Sequence, residues 1–121
     1  MTIPKFRAWT EEGKVMYYDV YPFKDDTLLL SYDEIAFDEV PASDFILMQS
    51  TGLFDMYDKE IFEGDVVHAY GEDTYLIGVI EYFDNAYCIK NKNGIYNPLW
   101  INAEHYEIIG NIWEGVNDDN S

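Results

Sequence analysis

The sequence has little cysteine, little positive charge and no long apolar run, and each shortage excludes a class of structure or function. Cys88 is the only cysteine, so the chain cannot form an internal disulfide and a reducing compartment is expected. Its place in the apolar run 86–89 indicates a buried side chain rather than a nucleophile. The first residues lack the apolar core of a signal peptide, and no stretch is long enough to cross a membrane. We therefore expect a soluble, cytoplasmic protein that does not bind a membrane.

Basic residues are also scarce, because 7 Lys and Arg stand against 24 Asp and Glu and give a formal net charge of −17. This excess repels the phosphates of nucleic acids and the anionic surface of a bilayer, so direct binding to either is not expected. Three interpretations of the charge stay open. It keeps the protein soluble, it makes the protein an acidic nucleic-acid mimic that inhibits a basic DNA- or RNA-binding protein of the host, or it binds metal ions or other counterions.

Aromatic residues, in contrast, are abundant, with 11 Tyr, 7 Phe and 3 Trp. Small β proteins fill their cores with rings, because each ring buries a large area. Tyrosine and tryptophan are also enriched at protein interfaces. The composition therefore favours β structure and predicts that the chain forms a homo-oligomer.

Turn signals recur at short intervals, and no amphipathic helical stretch exceeds about ten residues, a pattern typical of a mainly β protein. Residues 33–43 are acidic and contain Pro41, so they are predicted to form a loop or a single helical turn. The predicted strands are Phe6–Trp9, Val15–Tyr18, Thr27–Tyr32, Phe45–Gln49, Val66–Tyr70, Tyr75–Phe83, Tyr87–Lys90, Ile95–Tyr96, Leu99–Ile101 and Tyr106–Trp113.

The segment Glu63-Gly64-Asp65 followed by two valines is how the first strand of a small SH3-like barrel often begins, because glycine permits a sharp bend there. We predict an N-terminal β-hairpin lobe, residues 1–52, packed on a C-terminal SH3-like β-barrel, residues 53–115. Residues 116–121 are predicted to be a frayed tail. The residues expected in the barrel core are Val67, Ile77, Val79, Ile89, Ile108 and Ile112.

The sequence contains no recognisable catalytic or metal-binding pattern. His68 and His105 are the only histidines, and their spacing is not that of a zinc site. The acidic pairs lack the spacing of a calcium loop and are predicted to be solvated loop charge: Asp25-Asp26, Asp33-Glu34, Asp38-Glu39 and Asp118-Asp119. We predict no catalytic, cofactor-binding or metal-binding residue and a non-enzymatic protein. The alternative is a metal-dependent enzyme with an unrecognised acidic site.

Four segments, read together, resemble the YopX family of small phage and prophage proteins. They are Lys5-Phe6-Arg7-Ala8-Trp9, Leu47-Met48-Gln49-Ser50-Thr51-Gly52-Leu53, Lys59 to Val67 (KEIFEGDVV) and Ile109-Gly110-Asn111-Ile112-Trp113-Glu114. Their order and spacing cover almost the whole chain. The sequence departs from the family pattern twice: Ser50 replaces an aromatic residue, and Asp58 replaces the glycine before Lys-Glu-Ile.

The resemblance implies a mostly β fold and residence in the cytoplasm of an infected or lysogenic bacterium. It implies no activity, because the family's biochemical function is uncharacterised. The shared residues are expected to be structural, with Trp9, Leu47, Ile61, Val66 and Ile112 in the core. Gly52, Gly64 and Gly110 are expected to supply backbone conformations that other residues avoid. The function expected is that of a non-enzymatic module that binds an unknown phage or host protein.

Overall fold

The computed structural model describes residues 5–31, 33, 35–70, 75–99 and 105–116, and these residues form a mainly β structure, as predicted. Their strands build two six-stranded antiparallel sheets, and a 3₁₀ turn spans Ala42–Asp44. None of the described residues belongs to a helix with the length and apolarity needed to cross a membrane.

The chain divides into two compact units, residues 1–50 and residues 51–121. Each unit has a buried apolar cluster of its own. The predicted division into residues 1–52, 53–115 and 116–121, and the packing of one lobe on the other, stay predictions. Parts of four sequence predictions, at Tyr32, Glu34, residues 100–101 and residues 117–121, lie outside the described residues.

The first sheet has the strand order β4-β3-β2-β1-β5-β6. Its strands are β1 (Phe6–Thr10), β2 (Val15–Pro22), β3 (Thr27–Ser31), β4 (Phe37–Pro41), β5 (Ile46–Phe54) and β6 (Glu60–Phe62). Strands β1 and β2 form the predicted N-terminal hairpin, with Thr10 opposite Val15. The core cluster of the first unit consists of Ala8, Val20, Leu28 and Leu30, and Phe45 and Tyr17 pack against it.

Strand β4 lies in the segment predicted to be a loop, and this part of the prediction is wrong. Four of its five residues are exposed, so the alternation of apolar and polar residues that marks a half-buried strand is absent. Pairing with β3 holds the segment extended instead, with Val40 opposite Leu28 and Asp38 opposite Leu30. The 3₁₀ turn that follows fits the predicted single helical turn.

The second sheet has the strand order β10-β9-β8-β7-β11-β12. Its strands are β7 (Asp65–Tyr70), β8 (Tyr75–Phe83), β9 (Ala86–Lys90), β10 (Tyr96–Pro98), β11 (Tyr106–Asn111) and β12 (Gly115–Val116). Strands β10 and β12 stand at opposite ends of this order, and among the described strands they do not pair with each other. The closed SH3-like barrel is therefore not confirmed; the strands form an open sheet.

The core of the second unit confirms part of the predicted burial. Val67 and Ile89 are buried, together with Ile61, Ile80 and Tyr106. The prediction is wrong for Ile77, which is 40% exposed, and for Ile112, which is 51% exposed. Val67 lies opposite Gly78, so the preceding residue Ile77 must point to the other face of β8, and Ile112 lies beyond the end of β11. Val79 and Ile108 are half-buried.

The expected structural role of the shared residues is also confirmed in part. Trp9, Ile61 and Val66 are buried, whereas Leu47 is 36% exposed. The three glycines all have positive φ angles: 81° at Gly52, 87° at Gly64 and 155° at Gly110.

Candidate functional site

Asp55 is buried in the turn between β5 and β6, and three backbone N–H groups donate to its carboxylate. Oδ1 accepts from Tyr57 at 2.8 Å and from Lys59 at 2.9 Å, and Oδ2 accepts from Ile108 on β11 at 3.0 Å. A backbone bond also closes the turn, because the Asp58 N–H donates to the Asp55 carbonyl at 2.9 Å. Asp55 therefore ties the turn to β11, and its side chain has a structural role.

Asp58, in the same turn, has a left-handed backbone with φ of 66°. Glycine adopts this conformation without strain, and the family pattern has glycine at this place. The structure thus explains the departure that the sequence showed. Aspartate tolerates the left-handed region better than most residues, and Asp58 is exposed, so its side chain meets no steric obstacle from the core.

The Gly64-Asp65 bend makes the sharp turn into β7 that the sequence predicts. Gly64 donates its N–H to the Ile80 carbonyl at 2.9 Å and accepts from the Ile112 N–H at 2.9 Å. The buried carboxylate of Asp65 accepts from the Phe62 N–H at 2.8 Å. Both residues of the bend are therefore engaged by backbone groups from neighbouring segments.

Asn111 stabilises the turn after β11 in the same manner. Its Oδ1 accepts from the N–H groups of Trp113 at 3.0 Å and Glu114 at 2.7 Å, and its Nδ2 donates to the Glu114 carboxylate at 2.9 Å. At Gly110, an added Cβ would overlap the carbonyl oxygen of Gly115 on the paired strand. The shared Gly-Asn pair is therefore required by close backbone packing and by turn hydrogen bonds.

His68, Cys88 and His105 lie on β7, on β9 and just before β11. His68 is half-buried on β7, with its ring 4.1 Å from the ring of Tyr70, and His105 is exposed just before β11. Cys88 is buried, as predicted. Within the described ranges, no three His, Cys, Asp or Glu side chains are grouped so that they could hold a metal ion. The absence of catalytic, cofactor and metal residues stays a prediction.

The acidic pairs that fall in the described residues are exposed, namely Asp25-Asp26, Asp33 and Asp38-Glu39. Asp33 accepts from the N–H groups of Ile35 at 2.9 Å and Ala36 at 3.1 Å. These two hydrogen bonds lower the pKa of the Asp33 carboxyl below its usual value, because they favour the charged form. Asp33 therefore acts as a turn residue. Asp118-Asp119 lies outside the described residues.

A second feature, absent from the sequence predictions, is the face of the second sheet that points away from its core. We call it the outer face; on strands β7 to β10 it includes the buried Val66 and the more accessible His68, Tyr70, Ile77, Val79, Glu81, Phe83, Lys90 and Tyr96. The pairing places Val66, Val79, Lys90 and Tyr96 side by side in one row across four strands. Phe83 stacks on Tyr96 with the ring centroids 4.0 Å apart and an angle of 7° between the planes.

Two charged groups of the outer face are bonded to each other. Lys90 Nζ lies 3.8 Å from the Glu81 carboxylate and 5.6 Å from the centre of the Tyr96 ring. The Tyr96 hydroxyl donates to Glu81 at 3.3 Å. One positive and one negative charge therefore balance around Phe83 and Tyr96, whereas Glu107 on β11, opposite His68, adds a carboxylate that accepts from the Tyr70 hydroxyl at 2.9 Å. Phe83 is 48% exposed, so this part of the face offers apolar area to solvent.

Sequence reasoning missed Asp55 and the outer face for different reasons. Asp55 lies in a polar stretch between two of the shared segments, and nothing in that stretch distinguishes it from exposed turn residues. The segment Tyr75–Phe83 is apolar at nearly every position, so its period-two pattern does not separate a core face from an outer face. Only the pairing with β7 shows which of its residues are buried.

Comparison with known proteins agrees with this geometry. The family model described as "YopX protein" matches residues 5–117. The structure is similar to that of protein EF1440 from Enterococcus faecalis, with 25% identity, a TM-score of 0.59 and coverage of 94% of this chain and 96% of that chain. It is also similar in fold to protein yopX from Bacillus subtilis, with 16% identity, a TM-score of 0.59 and coverage of 92% and 94%. Among curated proteins, none matches. None of these descriptions names an activity, a ligand or a partner.

Proposed function

The chain belongs to the YopX family, and we propose that it is a non-enzymatic protein-interaction module that assembles with a second copy of itself through the outer face. The first support is the role of three buried polar residues, of which Asp65 and Asn111 belong to the shared segments. Asp55, Asp65 and Asn111 accept backbone N–H groups within turns, so their side chains maintain the fold. A family pattern made of such residues preserves a scaffold, and function then belongs to its surface.

The observation that carries the proposal is the part of the outer face around Phe83, which is apolar and charge-balanced, in a chain with a net charge of −17. Two copies of so acidic a protein repel each other over most approaches. In this part of the outer face, the pairing of Lys90 with Glu81 removes the local net charge. The exposed Phe83 ring and the exposed Ile77 side chain supply apolar area that association would bury. A second copy is therefore the occupant that this face fits best.

Sedimentation velocity at tens of micromolar protein tests the proposal, with Phe83→Glu as the disrupting variant. The parent should sediment as an oligomer, and Phe83→Glu should be monomeric, because it places an uncompensated charge in the apolar contact. Tyr57→Glu is the matched control, since Tyr57 lies in the same unit, is 64% exposed and receives the same charge away from the outer face.

A monomeric parent protein, or an oligomer that survives Phe83→Glu, would contradict the self-association. Circular dichroism should show that both variants keep the β structure of the parent. Added salt should strengthen the oligomer, because it screens the repulsion between the two acidic copies.

The same proposal places the protein in the cytoplasm of a bacterium that carries a phage or prophage, where it also binds a phage or host protein. The family resemblance supports this assignment. Affinity capture from infected cells with the tagged parent and with Tyr57→Glu should return the same partner, and failure of any protein to be enriched over the untagged control would count against it.

The acidic nucleic-acid mimic is a second candidate, supported by the absence of any Lys or Arg between Lys24 and Lys59, a stretch rich in Asp and Glu. A mimic competes with DNA for a basic protein and loses affinity steeply as salt rises. Captured partners that bind equally well at about 50 mM and about 500 mM salt would exclude this function, since that range changes the Debye length about threefold.

The third candidate, a metal-dependent enzyme, has a simple discriminating measurement. A metal that binds only the native state raises the melting temperature, so magnesium, manganese and calcium are each added in a thermal-shift assay. We expect no shift. Clear stabilisation by one of the three ions would favour the enzyme over the interaction module.

A further inference from the structure

Strand β4 is the outermost of the described strands in the first sheet, and most of its surface is exposed. It pairs with β3 on one side only. Phe37, Asp38, Glu39 and Pro41 are exposed, and Val40 is half-buried. An outer strand presents backbone N–H and C=O groups on its open side, and these can pair with an added strand.

The hydrogen bonds at the end of the β3–β4 hairpin show which residues point to the open side. Thr27 lies opposite Pro41, and the residues next to them are joined, because Ala42 donates its N–H to the Asp26 carbonyl at 2.8 Å. Thr27 and Pro41 are therefore a non-hydrogen-bonded pair. Hydrogen-bonded and non-hydrogen-bonded pairs alternate along an antiparallel ladder. Val40 and Asp38 therefore bond to β3.

The alternation leaves the N–H and C=O groups of Phe37 and Glu39 directed away from β3. These two residues are separated by one position, so a single extended segment can bond to both. The open edge thus offers two complete donor–acceptor pairs to an incoming strand.

The side chains beside this edge define the chemistry of the incoming strand. Phe37 contacts Tyr21 across the sheet, with ring centroids 5.8 Å apart, and both rings are exposed. Glu39 points to the same face as Phe37, and Asp38 points to the opposite face. An added strand therefore meets an aromatic pair and one carboxylate on one face, and a second carboxylate on the other.

We propose that the open edge of β4 binds an extended basic segment of a partner protein by antiparallel strand addition. In an antiparallel pair the residues opposite Glu39, Asp38 and Phe37 follow one another in that order along the partner chain. The recognised sequence is therefore two consecutive Lys or Arg residues followed by an aromatic residue. Opposite charges and aromatic pairs placed directly across a ladder are favourable.

Charge complementarity disfavours a second copy of β4 as the occupant, in the register that uses both Phe37 and Glu39. Antiparallel pairing of two β4 strands about Asp38 would place two aspartates directly opposite each other, and like charges across a ladder are destabilising. The surrounding sequence contains no basic residue that could offset this, since neither Lys nor Arg occurs between Lys24 and Lys59. The edge is therefore protected against self-pairing and suited to a basic strand.

This inference goes beyond the proposed self-association and does not rest on it. It concerns β4 in the first unit, whereas the outer face belongs to the second unit. A variant such as Phe83→Glu, which disrupts the outer face, should leave strand addition at β4 unchanged. The two proposals can therefore fail separately.

The experiment uses the full chain and a fluorescent synthetic peptide, Thr-Val-Lys-Arg-Tyr-Val-Thr, in an anisotropy titration at low salt. The peptide lysine should lie opposite Glu39, the arginine opposite Asp38 and the tyrosine opposite Phe37. Methylating the lysine backbone nitrogen removes an N–H that bonds to Glu39 and should weaken binding about tenfold. Methylating the arginine backbone nitrogen is the matched control and should leave binding unchanged, because that N–H points away from β4.

Two protein variants test the charge. Glu39→Gln should weaken binding about twofold to fivefold, since it removes one cross-strand charge pair. Glu12→Gln also removes one negative charge, but at an exposed turn away from the edge, and it should bind as the parent does. Equal binding by the two methylated peptides would overturn strand addition. Equal binding by a peptide in which norleucine replaces both basic residues would overturn the charge recognition, and no binding of the parent peptide would overturn the proposal as a whole.

Discussion

Replacing Asp55 with asparagine should destabilise the protein strongly, although the two side chains have nearly the same shape. In the native structure Oδ1 accepts two N–H groups and Oδ2 accepts one, from Ile108. The single carbonyl oxygen of asparagine can keep the two bonds in the turn. Its amide nitrogen then faces the Ile108 N–H, so two donors meet and the Ile108 N–H has no acceptor.

The size of the effect follows from hydrogen-bond energetics. A hydrogen bond to a charged group contributes about 1.5–3 kcal/mol, and a buried donor left without a partner costs about 1–3 kcal/mol, terms that partly overlap. Weakening of the two remaining hydrogen bonds adds a few tenths of a kcal/mol each to the loss of stability. We therefore expect Asp55→Asn to lower the free energy of unfolding by about 2–4 kcal/mol, a large part of the about 5–15 kcal/mol that such domains have.

Urea unfolding followed by circular dichroism measures this change. With a slope of about 1.5 kcal/mol per molar, the midpoint should fall by about 1–3 M urea. Asp58→Asn is the matched control, because Asp58 lies three residues away and is exposed, and its substitution should change stability by less than about 0.5 kcal/mol. If Asp55→Asn were as stable as the parent, or more stable, the carboxylate would not support the fold. That result would instead indicate that Asp55 is kept for function at a cost in stability.

Three further predictions concern individual backbone and side-chain positions. Asp58→Gly should raise the free energy of unfolding by about 0.5–1 kcal/mol in urea titrations, because glycine adopts φ of 66° without strain; a lower value would contradict this. Gly110→Ala should lower it by at least about 2 kcal/mol, since the new Cβ would overlap the Gly115 carbonyl, and an unchanged thermal melt would refute the close packing. Burial and the nearby Glu63 carboxylate raise the pKa of Tyr87 to about 12. The folded state therefore favours neutral Tyr87; this contribution to stability is complete below the unfolded pKa of about 10 and is lost as pH rises toward 12. A tyrosinate absorbance titration should show a late step that Tyr87→Phe lacks.

The sequence predicted most of the strands that carry a local signal and missed β4, β6 and β12, which are polar or very short. The segment Tyr75–Phe83 is β-branched and aromatic, and it forms β8 over those same residues. Strand β4 is polar and contains a proline, so its conformation depends on pairing with β3, a contact that local propensity does not contain. The barrel prediction was not confirmed, for a related reason: closure depends on whether the first and last strands meet, and strand spacing does not determine this.

The candidate sites were predictable to different degrees. The bend at Gly64 could be predicted, because the conformational freedom of glycine is a property of the residue itself. The third hydrogen bond of Asp55 could not, since its donor Ile108 lies 53 positions further along the chain. The ion pair between Glu81 and Lys90 on the outer face could not be predicted either, because the two residues lie on different strands and only the register of β8 and β9 brings them together.

The hydrogen bonds around Asp55 and Gly64 also determine when the second unit can fold during synthesis. Both residues bond to amides supplied much later in the chain, by Ile108 and Ile112. When the chain has emerged from the ribosome as far as β9, the second sheet therefore still lacks β11, and the Asp55 carboxylate lacks one of its three donors. Such long-range closure slows folding and prolongs the time for which strand edges are exposed. The interval between emergence of β7 and emergence of β11 is consequently the period in which the nascent chain is most open to aggregation and to capture by chaperones.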